Sequence, residues 1–213
     1  MMAVVSAMVF YSCQQQQKSS GVCRVYGTVN GEQYEGKRIF LVPLKGPATA
    51  ETVDSVEIKD GKFEFAPDSM QIYKVLLDYH YRFGLQPLII VAEPGDVWVK
   101  IDTISHAGGT PMNDSLEQWK VRTEQYKRQS GLMRMNANEL KAKGDQQQAD
   151  YINQRADSLN LVYRKYTRQL ADNLKEGPLH DFLKGLFPLT YKKKLPDGRI
   201  VTMDADTNEE IPE

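Results

Sequence analysis

From residue 22 to about residue 102, apolar and polar positions alternate, and Gly, Pro, Asn and Asp interrupt the alternation every few residues. Successive side chains of a strand face opposite sides of its sheet, so the pattern predicts strands over residues 22–29, 37–44, 72–79, 85–92 and 97–102. The sharpest hairpin signal is Val56-Glu57-Ile58-Lys59-Asp60-Gly61-Lys62-Phe63-Glu64-Phe65. Asp60-Gly61 suits the two positive-φ positions of a type I′ turn, a register that pairs Ile58 with Phe63 and Val56 with Phe65. About seven short strands with no helical pattern between them predict an antiparallel β-sandwich over residues 22–110.

After Gly108-Gly109-Thr110-Pro111 the period changes. Leu116, Trp119, Thr123, Tyr126, Ser130, Met133, Ala137 and Leu140 step by three and four, as do Ala149, Ile152, Ala156, Leu159, Tyr163, Tyr166 and Leu170. Two such seams joined by Lys143-Gly144-Asp145 predict an antiparallel helical hairpin over residues 111–176, each arm ~40 Å long at ~1.5 Å per residue. Asp114 and Glu117 carry capping-box spacing at its start. Residues 177–213 predict a short helix over 179–186, a terminal hairpin from 191–194 and 199–203 around Leu195-Pro196-Asp197-Gly198, and a loose acidic tail. The expected fold class is α+β, a β-sandwich followed by a long helical hairpin.

Residues 1–12, MMAVVSAMVFYS, are uncharged and mostly apolar, too short to span a membrane and similar to the apolar centre of a signal peptide. Phe10-Tyr11-Ser12-Cys13 resembles a bacterial lipoprotein box, which makes Cys13 the candidate lipidation site and the membrane a partner through that anchor. Residues 13–21 are a polar tract suited to a flexible tether. Two other readings stand beside this one: a buried N-terminal segment that ends at Cys13, and a Cys13–Cys23 disulfide, which lipidation of Cys13 would exclude. Cys23 lies in phase with Val25 and Val29 and is expected in the core.

The chain has 213 residues, 41% of them hydrophobic and 26% charged, an ordinary globular balance. Lys plus Arg number 27 against 28 Asp plus Glu, so a net charge of −1 supplies no field for nucleic acid, and no nucleic-acid partner is expected. The two cysteines form no C-x-x-C pair, and His80, His106 and His180 fall in separate elements without metal-ligand spacing. No catalytic residue, metal ligand or cofactor is therefore assigned, and the expectation is a protein that is not an enzyme. Gly31-Glu32-Gln33-Tyr34-Glu35-Gly36-Lys37-Arg38 is a near miss to a phosphate-binding loop, with Arg38 in place of the hydroxyl residue and a strand after it, and reads as a hairpin loop. Gly108-Gly109-Thr110 could hold an anion at a helix start, but a sheet-to-helix connector needs the same glycines and is the favoured reading. Tyr79, His80, Tyr81 and Arg82, with Phe83, form an aromatic, hydrogen-bonding cluster between strands, a candidate contact for a ligand or partner of unknown identity. The bland alternative is alternating strand residues.

Tyr34-Glu35-Gly36-Lys37, Thr52-Val53-Asp54-Ser55, the Asp60–Phe65 segment, Glu93-Pro94-Gly95-Asp96-Val97 and Gly108 through Asp114 together resemble the domain-of-unknown-function family 4369. That family occurs in Bacteroidetes envelope lipoproteins, often ahead of a thioredoxin-like domain. Residues 177–213 are too few for such a domain and contain no cysteine, so the resemblance carries over no thiol–disulfide activity. Five Asp, Ser/Thr, apolar triplets also resemble the O-glycosylation acceptor of Bacteroidetes envelope proteins, which makes Ser55, Ser69, Thr103, Ser115 and Ser158 candidate glycan sites; helix and turn capping by Asp is the alternative. The function expected is a lipid-anchored envelope protein, at the outer membrane facing the periplasm, that acts as a non-catalytic binding or assembly module with a protein partner on its helical hairpin. The alternative is an accessory of an envelope thiol-redox pathway.

Overall fold

The computed structural model describes residues 21–77 and 88–212. The protein is mixed α+β, with antiparallel-rich sheets followed by long helices. Its strands are β1 (Cys23–Val29), β2 (Arg38–Pro43), β3 (Asp54–Glu57), β4 (Lys62–Phe65), β5 (Ile72–Leu76), β6 (Leu88–Val91), β7 (Gly95–Ile101), β8 (His106–Gly108), β9 (Thr190–Lys194) and β10 (Ile200–Asp204). Its helices are α1 (Pro111–Ala142), α2 (Gln146–Leu174) and α3 (Pro178–Leu186). Strands β4-β1-β7-β8 form a first sheet, β3-β2-β5-β6 a second, and β9-β10 a separate ribbon.

The alternating strands bury one face each. Val25, Phe63, Phe65, Val97 and Val99 of the first sheet share a core with Ile39, Leu41, Val75, Leu88 and Ile90 of the second. Gly27 faces this core where a side chain would not fit: a Cβ there would lie 2.6 Å from the Phe63 ring and 2.4 Å from the Val99 carbonyl. Cys23 is in the core, as its phase predicts.

Two expectations about pairing need correction. Asp60 and Gly61 do have positive φ, and Lys59 and Lys62 exchange both backbone hydrogen bonds across them. The predicted ladder goes no further, because β3 pairs with β2 and β4 with β1, in different sheets. Ile58, Phe63 and Phe65 are still buried together, since the turn carries the chain across the core. The first sheet is also not wholly antiparallel, because β1 and β7 run parallel from Cys23 beside Gly95 to Val29 beside Ile101. Between them the chain passes through the second sheet, so no hairpin turn dictates their relative direction.

The outer face of the second sheet is covered. Ile72 and Val91 pack with Leu116 and Trp119 of α1, Ala171 of α2, and Leu179 and Leu183 of α3. Burying each of those leucines contributes about 1.5–3 kcal/mol. Helices α1 and α2 lie side by side and run in opposite directions along the predicted seams. The Trp119 indole N–H donates to Thr167 at 3.2 Å, Tyr126 stacks on Tyr163 at 4.4 Å, and Arg134 pairs with Asp157 at 2.7 Å.

The end of the chain is not the loose tail expected. Val201 and Met203 are buried, Arg164 donates to the Ala205 carbonyl at 2.7 Å, and the Asp206 carboxylate sits between Arg164 and Arg168 of α2. An acidic segment holds its place here because two guanidinium groups, each mostly buried, face it.

Candidate functional site

The start of α1 is a polar junction inside the fold. Glu93, in the turn between β6 and β7, accepts hydrogen bonds from the Met112 N–H at 2.7 Å and the Asn113 N–H at 3.1 Å. Asn113 in turn bonds both peptide groups of Val91. The predicted capping box is not formed: Thr110 occupies the N-cap position, and Asp114 accepts from the Gly109 N–H at 2.8 Å. Because the Glu93 carboxylate takes the free N–H groups, Gly108-Gly109-Thr110 serves as a connector, as favoured.

Those two glycines also make room for Trp98. A Cβ on Gly108 would lie 2.8 Å from its ring, and one on Gly109 2.9 Å from its ring and 2.6 Å from the Asp96 carbonyl. The indole rests on this bare backbone and is 40% exposed. Trp98 lies on the outward side of the first sheet and shares a second cavity with Glu117, Gln118 and Val121 of α1 and Tyr166 of α2. The register sets out two rows across that face. Glu64, Tyr26 and Trp98 lie abreast on β4, β1 and β7, and beside them lie Lys62, Thr28 and Lys100. Together with Arg24 they line an open groove of about 900 Å³.

The charges in the groove are ordered. Arg24 makes two hydrogen bonds to Glu64, at 2.7 and 2.8 Å, and its guanidinium lies 5.2 Å from the Tyr26 ring centre. The bond from Arg24 holds the Glu64 carboxyl below its ordinary range, and the same pair raises the Arg24 pKa. Lys62 makes no ion pair among the described residues, and Lys100 has Asp102 at 3.7 Å. This arrangement can stack a planar or ring-shaped group on Trp98 and meet negative charge beside it.

At the sheet's far edge His106 and Lys120 each lie 2.5 Å from the Glu117 carboxylate. Burial pushes Glu117 up, but hydrogen bonds from Lys120 and His106 outweigh it, and its pKa is lowered. Ser105, next in sequence to His106, does not complete a nucleophilic triad: its hydroxyl is turned to Asp102, donating to the carbonyl at 3.0 Å and accepting the N–H at 3.2 Å. His180 lies on α3 beside Asp181 at 2.9 Å. No group of three His, Cys, Asp or Glu among the described residues is placed to hold a metal ion.

The other candidates are scattered. Cys13 and the Tyr79, His80, Tyr81 and Arg82 cluster lie outside the described residues. Ser55 on β3 bonds Arg38, Ser69 lies 2.9 Å from the Tyr73 hydroxyl, and Thr103 is in the exposed turn after β7. Ser115 and Ser158 donate to carbonyls one turn back in α1 and α2. Cys23 is buried and its thiol is pushed up to about 11, first by burial and then by the nearby Glu93. The loop from Gly31 to Arg38 is structural, for Glu35 accepts the Asp60 and Gly61 N–H groups at 2.8 and 3.0 Å and so clamps the turn.

Sequence reasoning passed over Arg24, Tyr26, Lys62, Trp98 and Lys100. A signal was present: Tyr26 and Trp98 are aromatic residues at the polar-phase positions of amphipathic strands. Only the strand order puts them side by side.

The first sheet thus presents a part-exposed, aromatic and charged face on a mixed α+β scaffold. A family model described as a domain of unknown function (DUF4369) matches residues 23–151, more than half of the chain, and the chain belongs to that family. No curated protein and no solved structure matches it.

Proposed function

We propose that this protein is a lipid-anchored cell-envelope module, built as a β-sandwich followed by an antiparallel helical hairpin, that binds or assembles rather than catalyses. The observation that carries the reading is the outward face of the first sheet, where Trp98 and Tyr26 remain part-exposed although the second sheet's outer face is covered by helices. A sheet face that carries part-exposed large aromatics suits contact with something outside the chain. The lipoprotein-like Phe10-Tyr11-Ser12-Cys13 segment supplies the address, and the polar tract after it supplies the reach. On α1, Leu132 and Met135 are exposed three residues apart, which supports the hairpin as a second contact region. The anchor in this reading is the lipid on Cys13; no described helix is long and apolar enough to cross a membrane.

The test is detergent phase partition with intact mass of the protein expressed in a bacterial host, wild type beside Cys13→Ala. The expected result is a detergent-phase wild type with a lipid-sized mass addition and an aqueous variant. A wild type that stays aqueous with residues 1–12 retained would end the anchoring part of the proposal.

A further inference from the structure

We propose that the open face of the first sheet binds an acidic glycan, with one pyranose ring on Trp98 and the carboxylate of the adjoining sugar between Lys62 and Lys100. The inference rests on the binding-module reading and names its ligand class. Three features of the face carry it.

The first is the posture of Trp98. The indole sits against the bare backbone of Gly108 and Gly109 and is still 40% exposed. A part-exposed indole in a fixed seat suits the C–H face of a sugar, a contact whose strength comes from apolar area and the ring's negative quadrupole. Tyr26 is different, because Arg24 lies over its ring and is itself fixed by Glu64. Tyr26 therefore acts as a wall beside the Trp98 subsite and leaves its hydroxyl for hydrogen bonding.

The second feature is charge. The chain as a whole carries a net charge of −1, yet the groove is lined by four basic side chains against Glu57 and Glu64. Arg24 and Glu64 neutralise each other, which leaves the lysines in excess. Lys62 and Lys100 flank Thr28 on opposite neighbouring strands. With strands about 4.8 Å apart, their flexible stems are long enough for both ammonium groups to reach one anion above Thr28. Lys100 keeps Asp102 at 3.7 Å, a loose contact that an incoming carboxylate can share.

The third is spacing. Trp98 and Lys100 are two residues apart on β7, roughly 7 Å along the strand. A ring on one and a carboxylate at the other are thus about one sugar apart along a chain.

The probe is a galacturonate trimer, with the neutral galactose trimer as its counterpart. The chain has two tryptophans, so Trp119→Phe leaves Trp98 as the sole reporter. The expected result is a saturable change in Trp98 emission with the acidic trimer, a Kd at least tenfold weaker for the neutral trimer, and an equal loss in Lys62→Ala/Lys100→Ala. Calorimetry on Trp98→Ala, with Trp119 retained, is expected to show no binding. Both lysines are exposed, so their variant keeps the fold even if loss of Trp98 disturbs it. Absence of saturable binding, equal affinity for the two trimers, or an unchanged Kd in the lysine variant would each overturn the inference. Phase partition of the same preparation reports on anchoring independently, so the two proposals fail separately.

Discussion

Asn113 takes the place of a neighbouring strand for Val91. Its side-chain oxygen accepts the Val91 N–H at 2.9 Å, and its amide donates to the Val91 carbonyl at 2.7 Å. Asn113 is 1% exposed, and β6 is an edge strand of the second sheet, so one helical side chain closes the ladder there. Asn113→Leu leaves the buried Val91 N–H without its partner and the Val91 carbonyl with only the Glu93 N–H at 3.1 Å. The expected loss is about 2–4 kcal/mol, read as a lower urea midpoint with an unchanged slope; a change within 0.5 kcal/mol would show that the junction is not a stability determinant.

Glu117 gives acid stability a definite sign. Its folded pKa is lowered, so its contribution is fully present above the ordinary Glu value of about 4.3 and is lost as pH falls through the folded value. Glu117→Gln should cost about 1–2 kcal/mol at pH 7, since Lys120 loses its counter-charge, and should flatten the decline of stability below pH 4.5. Thermal melts from pH 3 to 7 compare the two proteins, and parallel curves would remove Glu117 from the account.

Gly109 holds φ at +98° and leaves no space for a Cβ between Asp96 and Trp98. Gly109→Ala is expected to cost about 1–3 kcal/mol through backbone strain and to shift the Trp98 emission as the indole lifts. An unshifted spectrum would mean that the seat of the Trp98 ring does not depend on the bare glycine backbone.

The C-terminal ribbon depends on Asp206. Asp206→Asn removes the charge that faces Arg164 and Arg168, and the expected cost is about 2–3 kcal/mol, confined to the ribbon. Limited proteolysis should cut residues 190–210 faster in the variant and leave the sheets intact. Equal cutting rates would show that the Val201 and Met203 contacts suffice.

Cys23 should behave as a core residue. In a Cys13→Ala background, a thiol with its pKa at about 11 and little exposure is expected to resist an aromatic disulfide reagent at pH 8 and to react fully in denaturant. Fast labelling of the native protein would contradict its place in the core.

Periodicity determined much of this protein on its own. The seams from Leu116 to Leu140 and from Ala149 to Leu170 match the positions that α1 and α2 bury or half-bury, because a helix with one apolar stripe has one way to hide it. Asp60-Gly61 marked a true turn, since few residues tolerate two positive φ values in succession. What periodicity could not carry was strand partnership. An apolar face says that a strand is half-buried but not beside which neighbour, so the parallel β1–β7 pair and the separation of β3 from β4 were decided by tertiary packing. The same holds for the polar contacts that join distant segments: Glu93 with α1, Asp206 with Arg164 and Arg168, and Asn113 with Val91. The candidate site follows the same rule, because Tyr26 and Trp98 are 72 positions apart and become neighbours only through the register of two parallel strands.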